Sequence, residues 1–166
     1  MKGFTLIEVL VVTGICALLV VGITEVLNLG NVIFPVDLGQ MEIHQQARQT
    51  MQWLTRELRE GRNVQISSLT ADMDRITFDA YIGAGISYYP DSGDFNGDGL
   101  TNQIVREYPI GTRRIIANSV SHFKFTRPSS VLVRIEVTTS KTVRLKGRGQ
   151  VLSFPLTEQV RLRNEE

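Results

Sequence analysis

Several features that mark enzymes or disulfide-stabilised proteins are scarce in this sequence. The single cysteine, Cys16, lies inside an apolar run, so we expect no disulfide and no thiol site in the rest of the chain. Only two histidines occur, His44 and His122, which argues against a histidine metal site. The 18 basic and 17 acidic side chains nearly cancel, so charge gives no indication of a nucleic-acid partner.

Motifs of catalysis are also missing. No Gly-x-Ser-x-Gly nucleophile motif occurs, and residues 83–85 (Gly-Ala-Gly) are not followed by a phosphate-binding loop. We read those glycines as a strand kink or a turn. The sequence therefore predicts a protein that is not an enzyme.

One long apolar run is present, at residues 4–23, and Glu8 is its only charged side chain. As a helix rising about 1.5 Å per residue, the run is roughly 30 Å long, which matches the hydrocarbon core of a bilayer. The sequence thus predicts a transmembrane helix over residues 4–24.

Three alternatives compete with a membrane span. A secretory signal peptide needs a small-x-small cleavage site, and residues 22–25 (Gly-Ile-Thr-Glu) are a poor one. A lipoprotein signal would use Cys16, but the bulky Ile15 stands where a small residue is expected. A buried helix of a soluble protein would need the remaining sequence to cover twenty almost unbroken apolar residues. We favour the membrane span.

Glu8 makes this run unusual. A carboxylate within the bilayer costs about 2.5–3.5 kcal/mol on insertion scales, and such a residue usually has a partner. If a peptidase cut after Gly3, the new amine of Phe4 would lie one helical turn before Glu8, or could face the Glu8 of a neighbouring copy. The alternative is a Glu8 that simply lies in the headgroup layer.

Residues 2–12 (Lys-Gly-Phe-Thr-Leu-Ile-Glu-Val-Leu-Val-Val) resemble the cleavage and methylation segment of type IV pilins and type II secretion pseudopilins. The resemblance implies that residues 1–3 are a leader, with Gly3 preceding the bond cut by a prepilin peptidase. It implies that an N-methyltransferase modifies Phe4, and that Glu8 pairs with an amine during assembly with other pilins or pseudopilins. Many major pilins close a loop with a disulfide, so the lone Cys16 favours a minor subunit.

The next region, residues 25–62, is predicted to continue the helix. Gly30 and Asn31 have low helix propensity and Pro35 disrupts a helix interior, so we expect a bend, a locally loosened segment or a break near residues 28–38. Gly61 is expected to end the helix.

From residue 40 apolar side chains recur at spacings of three and four, which predicts one face packed on a sheet. This apolar stripe comprises Ile43, Ala47, Met51, Leu54 and Leu58. Trp53 is interpreted as a packing residue. Residues 40–62, with Arg-Glu-Leu-Arg at 56–59, also resemble the helix of J-type pseudopilins and W-type minor pilins.

Residues 63–166 are predicted to form a β-rich head. Alternating patterns predict five or six strands, at residues 73–81, 104–110, 114–117, 120–126, 131–138 and 151–162. A helix followed by such strands indicates an α+β fold with an antiparallel sheet. The pilin resemblance implies the same layout, a long N-terminal helix carrying a β-sheet head, and residues 160–164 resemble the end of many minor pilins.

Residues 91–102 are the best candidate for a chemical site. The spacing matches the first half of a calcium loop, because oxygen-bearing residues alternate and a glycine follows Asp98. Position twelve is Val105 instead of a bidentate glutamate, so an acid outside the loop would have to substitute. The candidate calcium residues are Asp91, Asp94, Asn96, Asp98, Leu100, Asn102 and Glu107. The alternative is a polar hairpin tip without a metal.

A basic stretch at residues 141–148 contains Lys141, Arg144, Lys146 and Arg148. It could touch phosphate or anionic lipid, but no aromatic residue is interleaved, so we favour a solvated loop.

Together these expectations describe a non-enzymatic minor pseudopilin of the J type that helps to initiate a type II secretion pseudopilus at or near its tip. A W-type minor pilin acting in type IV pilus assembly, adhesion or DNA uptake is the alternative. The expected location is the bacterial inner membrane, crossed once, with a periplasmic head. Calcium is the only cofactor expected, and a nucleic-acid partner is not.

Overall fold

The computed structural model describes residues 5–94, 97, 101–145 and 148–163. In that part of the chain one helix precedes eight strands, which gives the predicted α+β architecture. The elements are α1 (Leu6–Leu58), β1 (Arg62–Ser68), β2 (Asp74–Ala80), β3 (Gly83–Asp91), β4 (Gln103–Glu107), β5 (Arg113–Ala117), β6 (Val120–Ser129), β7 (Leu132–Leu145) and β8 (Arg148–Arg161).

The ends of α1 are set by local hydrogen bonds. Thr5 is the N-cap, and its hydroxyl accepts a hydrogen bond from the Glu8 amide at 3.3 Å. At the other end, the Gly61 amide donates to the Leu58 carbonyl at 2.8 Å. A Cβ atom on Gly61 would lie 2.8 Å from that oxygen, so glycine permits the tight passage into β1. The helix therefore ends before the predicted boundary at residue 62.

The expected break near residues 28–38 is wrong, since the structure describes that whole stretch as helix with Pro35 inside it. A proline lacks one amide donor, so only the carbonyl four residues earlier, on Asn31, loses its helical partner. Nucleation is the costly step of helix formation, and helix is already present on both sides. Two weak helix formers and one proline are therefore tolerated.

Two antiparallel sheets form the head. The first has the order β1-β2-β3-β4-β5 and the second has the order β6-β7-β8, so each is a meander. The sheets meet where Met73 bridges Phe123, whose amide donates to the Asp72 carbonyl at 2.9 Å. The buried Asp74 carboxylate adds a second link, because it accepts a hydrogen bond from the Phe125 amide at 3.0 Å.

Eight strands exceed the five or six predicted. β1 escapes prediction because its sequence, Arg-Asn-Val-Gln-Ile-Ser-Ser, is mostly polar and exposed. β3 escapes because Gly83 and Gly85 interrupt its alternation, and their φ angles of 150° and 77° are typical of a turn. The predicted solvated loop at residues 141–148 is also wrong, since β7 continues to Leu145 and β8 begins at Arg148.

The core lies between α1 and the inner faces of both sheets. Every residue of the predicted apolar stripe is at most 2% exposed, and Trp53 packs at the edge of the main cluster. A smaller cluster of Ile43, Val143 and Leu152 joins the β7–β8 hairpin to the helix. A Cβ atom on Gly39 would lie 2.9 Å from the Val143 side chain, so the small residue permits this close approach. The helix and hairpin thus pack along much of the length of β7.

Candidate functional site

The N-terminal segment is the first candidate site. Glu8 occupies the first turn of α1 and is exposed, with its amide bonded to the Thr5 hydroxyl and carbonyl. The first turn carries the positive end of the helix dipole, which stabilises a carboxylate there. Gly3 and Phe4, the predicted processing residues, lie outside the described residues. The structure therefore describes one of the three predicted N-terminal residues.

The apolar half of α1 has no cover from the rest of the described chain. The helix contains a segment long and apolar enough to cross a membrane, and none of that segment is buried. A core helix of a soluble protein would be mostly buried, so the exposure of this segment argues against the buried-helix alternative. The same helix runs without interruption into the buried stripe, which makes the apolar segment and the head one continuous element.

Exposed apolar side chains continue past the predicted end of the span at residue 24. Leu27, Phe34, Leu38 and Met41 are all more than 60% exposed. At 3.6 residues per turn, Leu27 and Phe34 lie on the helix side opposite the stripe that packs on the sheets. The polar and helix-breaking residues of this region obscure the apolar spacing, so this second apolar surface is not evident from the sequence.

A polar cluster between α1 and the first sheet was also missed. The Arg106 guanidinium on β4 lies 2.8 Å from the Glu57 carboxylate on α1, and the Tyr88 hydroxyl donates to the same carboxylate at 2.7 Å. Burial, followed by the nearby Glu57 charge, raises the pKa of Tyr88. Both oxygens of the Glu57 carboxylate accept hydrogen bonds from Arg106, and one of them also accepts from Tyr88, so the cluster fixes the position of the helix on the sheet. Residues this distant in sequence give no local signal of pairing.

The candidate calcium loop connects β3 to β4. Asp91 pairs with Gln103 at the base of this hairpin. The Asp91 carboxylate accepts the Gly93 amide and the Asp94 carboxylate accepts the Gly97 amide, each at 2.8 Å, as in turns closed by aspartate. Asn102 has a positive φ of 57°. Asn96, Asp98 and Leu100 lie outside the described residues.

Glu107 is not brought to this loop. It lies four residues along β4 from Gln103, about 13 Å away at a strand rise of roughly 3.3 Å per residue. Its carboxylate instead accepts the Gly111 amide at 2.9 Å, and that bond lowers the pKa of Glu107. Among the described residues, no three His, Cys, Asp or Glu side chains are grouped closely enough to hold a metal.

The basic residues of the β7–β8 hairpin are not equivalent. Lys141 forms an ion pair with Glu42 of α1 and so contributes to packing. Arg144 and Arg148 are exposed near the tip, and Lys146 lies outside the described residues. The hairpin therefore presents fewer available cations than the sequence indicates.

Comparison with protein families matched residues 1–24 to the prokaryotic N-terminal methylation motif. The match includes Gly3, Phe4 and Glu8, in agreement with the prepilin-like resemblance of this segment, and it extends over the predicted transmembrane residues. Comparisons with curated proteins and with solved structures found no match.

Proposed function

We propose that this chain is a membrane-anchored, non-enzymatic subunit of a type IV pilin-like filament. The observation that carries the proposal is the methylation-motif match over residues 1–24, at the start of a helix whose apolar half is exposed. The first assignment is a J-type minor pseudopilin at or near the tip of a type II secretion pseudopilus, which it helps to initiate. The lack of any cysteine outside the apolar run supports a minor subunit.

The processing step involves Gly3 and Phe4. Prepilin peptidase removes residues 1–3, an N-methyltransferase modifies the new amine of Phe4, and residues 4–24 then anchor the subunit in the inner membrane with a periplasmic head. During assembly, Glu8 pairs with the Phe4 amine of a neighbouring subunit. Its place in the first helical turn supports this role, because its carboxylate is exposed there.

The second apolar surface of α1 supports burial between subunits. Phe34, Leu38 and Met41 lie about 15 Å or more beyond the predicted end of the span at residue 24, at a rise of roughly 1.5 Å per residue, so the hydrocarbon core of the bilayer does not reach them. Their side of the helix faces away from the head, which leaves it accessible to helices of neighbouring subunits.

The alternative is a W-type minor pilin of a type IV pilus, acting in assembly, adhesion or DNA uptake. A role in DNA uptake would depend on the four basic residues of the 141–148 stretch. The ion pair between Lys141 and Glu42 argues against that role, because Lys141 is then less available to DNA phosphates. Salt-sensitive binding of duplex DNA by the full chain would support a role in DNA uptake.

Intact mass spectrometry of the protein isolated from its native host tests the proposal. The expected mass lacks residues 1–3 and includes one additional methyl group. Gly3→Ala should retain the leader because the peptidase site is lost. A native chain of full mass, with its leader attached, would contradict the proposal.

The assembly step is tested separately with Glu8→Gln. We expect this variant to be processed normally and to enter the filament fraction poorly, because the carboxylate that meets the neighbouring amine is gone. Glu25→Gln is the matched control, since it neutralises another exposed carboxylate of α1. Equal incorporation of both variants would refute the role of Glu8.

A further inference from the structure

The β7–β8 hairpin extends beyond β6 toward the apolar half of α1. The pairing of β6 with β7 ends where Val120 lies opposite Thr139, whereas β7 and β8 stay paired as far as Leu145 and Arg148. We define the hairpin tip as the exposed residues Arg144 and Arg148. We propose that, before assembly, the hairpin tip binds the anionic phospholipid headgroups of the bilayer that α1 spans. The inference rests on the membrane anchor of the proposed function and adds a second contact with the same bilayer.

Two contacts fix the direction of the hairpin along α1. The Thr139 hydroxyl donates to the Ile43 carbonyl at 2.8 Å, and farther along β7 the Val143 side chain lies against Gly39. As β7 advances by four residues, its partner on the helix thus moves back by four. Val36, one turn earlier again, packs on the same small cluster as Val143. The hairpin tip therefore points toward the predicted span.

The hairpin tip comes close to the headgroup layer. Gly39 is about 22 Å along α1 from the predicted end of the span at residue 24, at a rise of roughly 1.5 Å per residue. β7 runs for two residues past Val143, which brings the tip up to about 7 Å closer at roughly 3.3 Å per residue. The headgroup layer occupies about another 5–8 Å. The remaining gap of roughly 10 Å is comparable to the screening length of about 8–10 Å, and long arginine side chains narrow it further.

The charge of the hairpin is not cancelled by its surroundings. Residues 137–157 contain four basic and no acidic side chains, and among the four only Lys141 is paired, with Glu42, in the described part of the hairpin. Asp37 lies on the side of α1 away from the hairpin, by helical spacing. Glu25 lies on the hairpin side but one residue past the predicted span, at the level of the headgroups, where it has the same sign of charge as their phosphates. The arginines of the tip are therefore available to lipid.

The two arginines lie on opposite faces of the hairpin. Val143 faces α1, so Arg144 points to the other face by strand alternation. Arg148 pairs with position 145, two residues from Val143, and residues directly opposite in a sheet share a face. Arg148 is therefore on the face of Val143. A protein docked on one face would reach one arginine, whereas a planar surface that meets the hairpin end-on reaches both.

The distal end of the head, where α1 ends at Leu58, provides the contrast. It carries the exposed Arg62 and Arg163, but Leu58 is about 50 Å along the helix from residue 24. That separation is several screening lengths, so the bilayer does not attract these arginines. Position along α1 thus distinguishes the hairpin tip from other cations of the head. Withdrawal of α1 from the bilayer by about 10 Å would place the tip beyond a screening length, so assembly releases the contact.

The test measures the proximity of the hairpin to headgroups for the full chain in phospholipid nanodiscs. Cys16→Ser with Gln150→Cys provides one exposed thiol beside the tip for a donor fluorophore, and a headgroup-labelled lipid is the acceptor. We expect more energy transfer in nanodiscs that contain phosphatidylglycerol than in phosphatidylcholine alone. The increase should disappear at about 1 M salt, where the screening length is about 3 Å.

Arg144→Gln with Arg148→Gln should lower the ratio of docked to undocked heads in the anionic nanodiscs by about tenfold or more, because each basic side chain near an anionic surface contributes several-fold. Its melting temperature should be unchanged, since both side chains are exposed. Arg62→Gln with Arg163→Gln is the matched control, which removes the same charge at the distal end and should leave the ratio unchanged. A label on Tyr81→Cys, in an exposed turn beside the end of α1, should report no effect of lipid charge.

The outcomes separate the hairpin from the anchor. Equal transfer in neutral and anionic nanodiscs, or an equal loss in the distal charge variant, would overturn the hairpin proposal and leave the anchor intact. Displacement of the hairpin by duplex DNA at constant ionic strength would assign the two arginines to nucleic acid and would also overturn it. A chain that does not co-float with phosphatidylcholine vesicles would contradict the anchor itself, and with it the proposal.

Discussion

The two halves of α1 belong to one helix but have opposite surroundings. Between Leu6 and Phe34 the described large apolar side chains are exposed, whereas Ile43, Leu54 and Leu58 are at most 2% exposed. A helix that is apolar on every side needs cover from outside the chain, and a helix with one apolar stripe finds it in its own sheets. The first half is therefore suited to an apolar environment such as a membrane, and the second half packs on the sheets of the head.

The largest expected difference is the effect of removing a leucine side chain from each half. Leu54→Ala should lower the free energy of unfolding of the head by about 2–5 kcal/mol, because it leaves a cavity among tightly packed groups. Leu27→Ala should leave it unchanged, since Leu27 is 63% exposed. Fluorescence of the single tryptophan, Trp53, follows denaturant unfolding of the full chain in nanodiscs. Equal destabilisation by both variants would contradict the conclusion that only the second half of α1 packs in the core of the head.

Both halves of α1 could be predicted from local patterns in the sequence. The buried stripe follows from spacings of three and four residues, and the exposed run follows from unbroken hydropathy. The break predicted from Pro35 does not occur. Helix propensity describes single residues, whereas the continuity of a helix also depends on whether the flanking residues are helical.

The pairing of distant residues could not be predicted. Nothing near Glu57 indicates Arg106 as its partner, because the two residues are 49 positions apart and meet only when α1 packs on the first sheet. The strands β1 and β3 were not predicted for a related reason. A polar or glycine-containing segment forms a strand only because adjacent strands pair with it.

Arg106→Ala tests the polar attachment of the second half of α1. We expect a loss of about 2–3 kcal/mol in unfolding free energy, because the Glu57 carboxylate keeps a largely buried position without its cation. The estimate stays below the cost of a fully buried pair since each side chain is 12% exposed. The triple variant Glu57→Leu, Tyr88→Phe and Arg106→Met should recover much of that loss, because it removes the buried Tyr88 hydroxyl together with its acceptor. The same tryptophan fluorescence measures the recovery, and a triple variant as unstable as Arg106→Ala would contradict this account.

Calcium should affect the head and leave the apolar half of α1 unchanged. If the β3–β4 loop binds calcium, millimolar calcium should raise the melting temperature of the full chain relative to chelator, by the equivalent of about 1–3 kcal/mol. Asp94→Asn should remove the increase because it deletes one of the predicted carboxylate ligands. Asp37→Asn, an exposed aspartate on α1, is the control and should retain it. An unchanged melting temperature at millimolar calcium would exclude a stabilising site in the loop.

The smallest expected effect is a dependence of head stability on pH at the distal end. The Asn63 side chain, followed by the Gly85 amide, holds the pKa of Asp79 below its ordinary value of 3.8. A carboxylate with a lowered pKa in the folded state contributes stability above the unfolded pKa and loses it as pH falls through the folded value. The melting temperature should therefore be flat near neutral pH and decline below about pH 4, and Asp79→Asn should make that decline shallower. Asp37→Asn again supplies the control on the apolar half, and an Asp79→Asn profile as steep as that of the unchanged chain would show that this carboxylate does not hold the β2–β3 turn in place.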